Sequence, residues 1–215
     1  HGIWQASHVY PLFENALRHH LNRSIEDHQL AMGTLFSRLS EVAVRSPHAW
    51  FPVRRSPEDI AWPSESNRYV GWPYTKYMNA MNQINQSASV LLTSVGHARS
   101  LGVDPSRWVF LHGCADVTEI WDVTQRVNYH SAPAISILGR ESLAMARINI
   151  EDITHIDLYS CFPSAVAIAC RELGIPEDDP RDLTVTGGLA FHGGAGNNYV
   201  MNSIAAMADQ LREDP

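Results

Sequence analysis

Two short segments of this sequence combine acid–base side chains with the signals of a tight turn. The first is the run Tyr159, Ser160 and Cys161, followed at once by Phe162 and Pro163. Proline is favoured at the first position of a helix, so this run predicts a turn into a helix. A thiol there feels the positive end of the helix, and we expect its pKa to fall below about 8.5. Tyr159 is therefore a candidate proton donor to an oxyanion, and Cys161 a candidate base or nucleophile.

Both side chains also have an ordinary structural interpretation. An isolated cysteine is commonly buried and inert, and a lone tyrosine is commonly a core aromatic whose hydroxyl is hydrogen-bonded. Ser160 is a weaker candidate, because no Gly-x-Ser-x-Gly motif surrounds it.

The second segment is a glycine-rich turn, GGLAFHGGAGNN, between a predicted strand and the last predicted helix. His192 is its one acid–base side chain. Glycine allows positive φ or a close approach to another group, and amides at a helix start can face a crevice. We expect the following residues to bind substrate: Gly187, Gly188, Gly193, Gly194 and Asn197. The alternative is that the glycines only allow tight packing of strand against helix.

Hydrophobic patterning predicts the elements that position these segments. Apolar residues at helical spacing predict helices over residues 11–20, 24–45, 95–102, 131–145, 164–174 and 200–212. Short apolar and β-branched runs predict strands over residues 87–94, 108–116, 155–160 and 183–186. Residues 46–77 hold five prolines and three tryptophans, so we interpret them as an ordered, extended loop region. Alternating strands and helices are typical of a layered α/β fold, whose ligands bind at strand ends.

Composition limits the classes of partner. The formal net charge is −7 and no basic patch stands out, so we do not expect the protein to bind nucleic acid. No apolar run approaches the roughly 20 residues of a membrane span, so we do not expect the protein to associate with a membrane either. Three cysteines without CxxC spacing favour reduced thiols and a cytoplasmic protein. His112 and Cys114 form one H-x-C pair with no second pair at ligand spacing, so we assign no metal, and a metal-dependent hydrolase is the remotest alternative.

The order and spacing of the two segments resemble the thiolase superfamily, specifically acetyl-CoA acetyltransferase-like proteins related to sterol carrier protein-type thiolases. DLYSCFPSAVAIACRELG is similar to their His-Asp-Cys-Phe motif, with Tyr159 at the Asn/His position and Cys161 at the cysteine. GGLAFHGGAGNNY is similar to their Gly-Gly and Gly-His-Pro segment. His192 stands near the catalytic histidine, although an alignment anchored on the following helix puts Phe191 there. NQSASVLLTS is similar to the strand that ends the family's N-terminal half.

This resemblance implies an α/β fold of the thiolase-like layered αβαβα type, here as the loop domain plus most of the C-terminal half. Residues 1–82 would be the loop-domain-like region, and residues 83–103 the last strand and helix of the N-terminal half. Residues 104–215 would be an incomplete C-terminal half. Nothing in the sequence matches the surroundings of the family's nucleophilic cysteine.

The resemblance also implies acyl-CoA handling, by Claisen condensation or thiolysis of a CoA thioester, or by retro-aldol cleavage. The complete protein would be an acyltransferase of lipid metabolism, with Tyr159, Cys161 and His192 in catalysis, a coenzyme A thioester as substrate and no covalently bound cofactor. We expect a homodimer, a small OB-fold/zinc-ribbon protein as a candidate partner, and no turnover by these 215 residues alone. The alternative is a non-catalytic thiolase-fold scaffold whose partner chain carries the nucleophilic cysteine.

Overall fold

The computed structural model describes residues 5–214, of which about half are helical. The α-helices of this part are α1 (Ala6–His20), α2 (Ile25–Arg45), α3 (Pro57–Ala61), α4 (Val95–Ser100), α5 (Pro133–Ala146), α6 (Pro163–Leu173), α7 (Gly188–Phe191) and α8 (Tyr199–Glu213). Single 3₁₀ turns lie at Lys76–Met78, Pro105–Arg107, Val123–Gln125, Ile150–Asp152 and Gly196–Asn198. Two strands, β1 (Tyr69–Gly71) and β2 (Tyr74–Thr75), form an antiparallel pair.

Helices α2 and α6 match the predictions closely, because local cap signals mark the start of α2 and the end of α6. Ser24 accepts the Asp27 amide at 3.0 Å and starts α2, and Pro47 follows the last turn. Gly174 at φ 73° closes α6. Helix α1 begins at Ala6, earlier than predicted, and includes Pro11 in its interior.

The loop region contains more regular structure than the prediction of an extended loop allows. Ser56 and Asp59 form a reciprocal capping box, with bonds of 3.1 and 3.2 Å, and this box starts α3. Helix α3 packs on α2 at Gly33, where a Cβ would collide with the carbonyl oxygen of Pro57. The β1–β2 hairpin lies in the same region. Neither element was predicted, because the prolines and tryptophans of this region obscure the short cap signal.

The four predicted strands are not strands in the described part of the chain, where β1–β2 is the sheet that forms. A strand is defined by a ladder of backbone hydrogen bonds to a neighbouring strand. Between residues 155–160 and 183–186 there is a single backbone hydrogen bond, from the Leu158 amide to the Leu183 carbonyl at 2.9 Å. Thr184 also competes with a ladder, since its Oγ accepts the amides of Thr186 and Gly187 at 3.2 and 3.1 Å. The described part is about half helical with one small sheet, which is consistent with an α/β fold, and the αβαβα layering stays a prediction.

The core lies between α2, α6, the β hairpin and the glycine-rich turn. Its largest fully buried side chains include Phe36, Tyr74, Phe191 and Tyr199. Residues 87–127 are different, because many of their large apolar side chains are exposed; Leu91 and Leu111 are each 80% exposed. Within residues 5–214, no helix is both long and apolar enough to cross a membrane.

Candidate functional site

The two chemistry-bearing segments meet directly. We call residues 157–163 the first elbow and residues 187–196 the second elbow. Ser160 Oγ of the first elbow accepts the Leu189 amide of the second at 3.1 Å. Gly188, at φ 74°, lies against the same serine, and a Cβ on it would be 2.5 Å from Ser160 Oγ and 2.8 Å from Leu39 Cδ2. The two segments that the sequence marks as candidates for chemistry are therefore in direct contact.

Threonine side chains shape the second elbow. Thr184 Oγ accepts the Gly187 amide at 3.1 Å, and Thr186 Oγ accepts the Gly188 amide at 3.1 Å. Gly187 has φ 105° and lies against α2, where a Cβ would be 2.5 Å from that of Ala43. Gly187 and Gly188 are therefore needed for positive φ and for packing against the chain's own side chains, whatever else they bind.

Asp157 and Tyr199 lie beneath the elbows, and the sequence analysis singled out neither. Asp157 Oδ2 accepts the Val185 amide at 2.9 Å and the Thr184 hydroxyl at 3.0 Å. Burial raises the pKa of Asp157 to about 6, although these hydrogen bonds act in the opposite direction. Tyr199 shares a 2.9 Å hydrogen bond with Thr186, and burial raises its pKa, so its phenol stays protonated. The sequence signal that could have identified Asp157 is an acidic residue inside a predicted strand.

Cys161 is buried, and its electrostatics differ from the prediction. The residue is 7% exposed, and burial raises the pKa of its thiol. Interaction with the Tyr10 hydroxyl and with backbone amides lowers that pKa, but less than burial raises it. The expected thiolate at a helix N-terminus is therefore wrong in direction, because desolvation outweighs the favourable polar groups. Tyr159 is 50% exposed, and burial of its other half raises its pKa too.

His192 is more deeply buried than Tyr159 or Cys161. It is 2% exposed, and burial lowers its pKa, with Asn202 acting the other way, so the imidazole is neutral. Among residues 5–214, neither ring nitrogen makes a well-formed hydrogen bond, so Asn202 and the Thr186 backbone act on the ring only weakly. His192 lines a cavity of about 1250 Å³ that Arg45 and His48 also line. Phe191 turns into the core, edge-on to Phe36 at 6.4 Å. Both aligned alternatives border a cavity: His192 lines this one, and Phe191 lines a separate one of about 290 Å³ together with Tyr77 and Met81.

Tyr199 separates His192 from the first elbow. The Tyr159 ring stands edge-on to Tyr199 with centroids 6.0 Å apart, and the His192 ring does the same at 6.1 Å. Tyr159 and Cys161 are not among the residues that line the cavity beside His192. The structure therefore brings Tyr159 and Cys161 together and joins His192 to them through one aromatic ring.

The remaining predicted substrate-binding residues contact the chain itself or solvent. A Cβ on Gly193, at φ 121°, would be 2.9 Å from Gln86 Oε1. The Gly194 amide donates to the Met81 carbonyl at 2.8 Å. Asn197 lies exposed on a 3₁₀ turn. Gly194 thus hydrogen-bonds the second elbow to Met81, and Gly193 lies close to Gln86.

The H-x-C pair does not gain further ligands in the structure. His112 and Cys114 are both exposed. Across residues 5–214, no three side chains of histidine, cysteine, aspartate or glutamate are grouped so as to hold a metal ion.

Comparison with solved structures shows close similarity to one thiolase-type protein. A monomeric SCP2-thiolase-like protein type 1 from Mycobacterium smegmatis aligns with all of this chain, at 42% identity and a TM-score of 0.94. The chain covers 47% of that protein. An Ltp2–ChsH2(DUF35) aldolase aligns with 95% of this chain and is itself covered to 55%, at 18% identity and a TM-score of 0.72, which shows the fold alone. The chain thus spans about half the length of these structures. No protein-family model and no curated protein matches the sequence.

Proposed function

Because this chain belongs to the thiolase superfamily, among the SCP2-thiolase-like proteins, we propose that the whole protein binds an acyl-CoA thioester and forms or breaks a bond at its acyl group. The observation that carries the proposal is the hydrogen bond between Ser160 and the Leu189 amide, which holds the two elbows together. Such a contact places acid–base side chains of one elbow beside the turn of the other.

The chemistry follows from the weak acidity of the α-proton of a thioester. A side-chain base can remove that proton only if the enolate is stabilised as it forms. Tyr159 is a half-exposed, protonated phenol that is suited to donate a hydrogen bond to an enolate oxygen. Cys161 rests as a neutral thiol, which suits protonation of a carbanion or enolate carbon. His192, with a neutral imidazole, is suited to accept a proton.

We propose Claisen condensation or thiolysis as the reaction, with retro-aldol cleavage as the variant that a phenol at position 159 favours. The substrate is a coenzyme A thioester, and the setting is acyl transfer in lipid metabolism. The three free cysteines are consistent with the cytoplasm as the location. The domain division at residues 82 and 103 belongs to the same proposal.

The proposed assembly is a homodimer that also takes up a small OB-fold/zinc-ribbon protein. The description of the aldolase relative names two components, Ltp2 and ChsH2(DUF35), and this supports a search for a partner chain. The Mycobacterium smegmatis relative is described as monomeric, so a monomer is the competing outcome. The molar mass of the purified protein in solution distinguishes the two.

The second candidate is a non-catalytic subunit that supports a partner carrying the nucleophilic cysteine. One observation favours it: burial raises the pKa of Cys161, and raises that of Cys170 to about 11, so neither buried thiol is poised as a nucleophile. This candidate predicts an acyl adduct only on the partner chain.

The test is hydrogen exchange at the α-carbon of acetyl-CoA in deuterated water, followed by mass spectrometry with the full-length protein. We expect deuterium uptake in the wild type and a loss of about 100-fold or more in Tyr159→Phe. Tyr69→Phe is the matched control, because Tyr69 is 40% exposed on β1, and it should retain the wild-type rate. An absence of exchange, acyl adduct and acetyl-CoA binding refutes the proposal. An adduct confined to an added partner supports the second candidate.

A further inference from the structure

The backbone of the second elbow is paired with the loop region at His192. The His192 carbonyl oxygen accepts the Trp50 amide at 3.0 Å, and one residue earlier the Phe191 carbonyl accepts the Phe51 amide at 2.9 Å. Two consecutive residues of the elbow are thus bonded to two consecutive residues of the loop region. A carbonyl oxygen has two lone pairs, so this pairing leaves one acceptor site free on His192.

Gln86 occupies that acceptor site from a third segment of the chain. Its Nε2 donates to the His192 carbonyl at 2.9 Å and to the His48 carbonyl at 2.9 Å, so both amide protons have an acceptor. The opposite orientation of this amide would direct Oε1 at two carbonyl oxygens, so the two partners determine the orientation. Gln86 therefore joins two segments that lie 38 residues before it and 106 residues after it.

The oxygen of the same amide lies against the residue that follows His192. A Cβ on Gly193, at φ 121°, would be 2.9 Å from Gln86 Oε1 and 3.4 Å from Gln86 Cδ. A side chain at position 193 would thus displace Gln86. The glycine therefore allows the amide to approach the His192 carbonyl.

The His192 side chain has no comparable anchor of its own. Within residues 5–214, neither ring nitrogen makes a well-formed hydrogen bond, and the ring borders the cavity of about 1250 Å³. The ring stands edge-on to Tyr199, a contact that sets no hydrogen bond. The direction of the imidazole toward the cavity therefore depends on where the His192 backbone is held.

We propose that Gln86 is a positioning residue for His192: its amide holds the His192 carbonyl against the loop region and so keeps the imidazole directed at the cavity. The contact follows from the geometry alone. Its role in turnover rests on the proposed function, in which His192 accepts a proton. A displacement of about 1 Å between a catalytic group and its target can lower a rate by about 100-fold, so the position of this carbonyl affects the proton transfer.

Other groups also act on this imidazole, and the test has to separate them from Gln86. Burial lowers the pKa of His192 most, Asn202 of α8 raises it, and His48 of the loop region lowers it. Tyr199 faces the ring as a protonated phenol, because burial raises its own pKa. Since Gln86 also binds the His48 carbonyl, each titration is repeated in a His48→Gln background, where a shift cannot come from movement of the His48 side chain.

The experiment follows the pH titration of the His192 ring by NMR of the full-length protein labelled with ¹³C-histidine, with His192→Phe to assign the resonance. Gln86→Met keeps the length of the side chain and removes its donor. Release of the second elbow lets water reach the ring, so we expect the titration midpoint to rise toward about 6.5. Gln83→Met is the matched control, since Gln83 is an exposed glutamine three residues earlier on the same segment, and it should leave the midpoint unchanged.

The rate of acetyl-CoA exchange gives a second readout. We expect Gln86→Met to lower kcat about tenfold and to leave KM within about twofold, because a positioning residue acts on the chemical step through His192. Gln86 also lines the cavity, so direct contact with the substrate is the competing role. A raised KM with an unchanged kcat would show that contact and overturn the positioning role.

An unchanged His192 midpoint in a folded Gln86→Met protein overturns the proposal. If that variant fails to fold, Gln86→Asn gives the second test: it keeps an amide that is one methylene too short to reach both carbonyls, and it should shift the midpoint in the same direction. No shift there also refutes the role. A shift without any acetyl-CoA exchange in the wild type rejects the proposed function and keeps the Gln86 contact. Exchange in the wild type without a shift keeps the proposed function and rejects the role of Gln86.

Discussion

Ser160 and Leu189 are joined by a 3.1 Å hydrogen bond in which the serine hydroxyl oxygen accepts the backbone amide. Ser160 is 1% exposed and Leu189 is 2% exposed, so water is not available to replace the bond. The serine was the weaker candidate for chemistry in the sequence, and its position shows a different role. It sets the distance between the residues that flank it and the glycine-rich turn.

Replacing Ser160 with alanine should therefore destabilise the fold. The Leu189 amide would be buried without an acceptor, which costs about 1–3 kcal/mol. Urea denaturation of the wild type and the variant gives the difference in unfolding free energy. Ser100→Ala is the control, because the exposed Ser100 hydroxyl donates to the His97 carbonyl at the end of α4, and it should change stability by less than about 0.5 kcal/mol. Equal stability of Ser160→Ala and the wild type would contradict this assignment.

Three glycine-to-alanine variants separate backbone strain from lack of space. Gly188→Ala combines positive φ with contact to Ser160 and Leu39, and we expect a loss of about 3 kcal/mol. Gly196, at φ 58° in open space, isolates the backbone effect, and its alanine variant should lose about 1 kcal/mol. Gly96 lies in α4 with nothing within 4 Å, so alanine there should be neutral or stabilise by up to about 1 kcal/mol. Thermal and urea unfolding should give this order, and any other order rejects the contact at Gly188.

The raised pKa of Asp157 predicts a pH dependence of stability. Its folded-state pKa is about 6, above the unfolded value of about 3.9, so the folded protein binds more protons between these values. The contribution of Asp157 to the free energy of unfolding should thus be greatest below about pH 4 and should fall as pH rises to about 6. Asp157→Asn keeps an oxygen acceptor without a charge and should flatten this part of the curve. Parallel curves for the two proteins would show that Asp157 titrates normally.

His192→Phe should separate stability from activity. Neither imidazole nitrogen makes a well-formed hydrogen bond, so burial of the ring is unfavourable, whereas phenylalanine keeps a ring against Tyr199. Since burial lowers the pKa of His192, the unfolded chain binds the extra proton below about pH 6.5, and the wild type loses stability there while the variant does not. We expect equal or greater stability near pH 8 and a larger advantage near pH 5, together with loss of acetyl-CoA exchange. A destabilised variant would indicate that His192 is paired, and full exchange would remove it from the site.

Local signals in the sequence predict most helices of this fold. Ser24 before a helical apolar stripe and Gly174 after one are sufficient to place α2 and the end of α6, because the caps act on adjacent residues. The contact of the two elbows could also be predicted, because turns that follow neighbouring elements of an α/β fold tend to lie at the same edge. The strand pairing could not, because it depends on a distant partner and Thr184 binds its own backbone instead.

The electrostatics of the site depend on contacts that no local pattern contains. Cys161 has a favourable place before a helix, but burial raises its pKa more than the Tyr10 hydroxyl and the backbone amides lower it. Similarly, Phe191 and His192 are adjacent and both buried, and only their packing shows that the Phe191 ring faces Phe36 whereas the imidazole borders the cavity lined by Arg45 and His48. Tyr10 precedes Cys161 by about 150 residues, so the sequence offered no reason to connect them.

The buried bonds from His28 through Glu14 and Tyr74 to Ser164 tie the evolution of the loop region to that of α6. A loop region transplanted from a relative brings its own donors and acceptors, and a mismatch at any one link leaves a buried carboxylate or hydroxyl unsatisfied. Chimeras of this protein should therefore be cut so that α1, the hairpin and the start of α6 are inherited as a set.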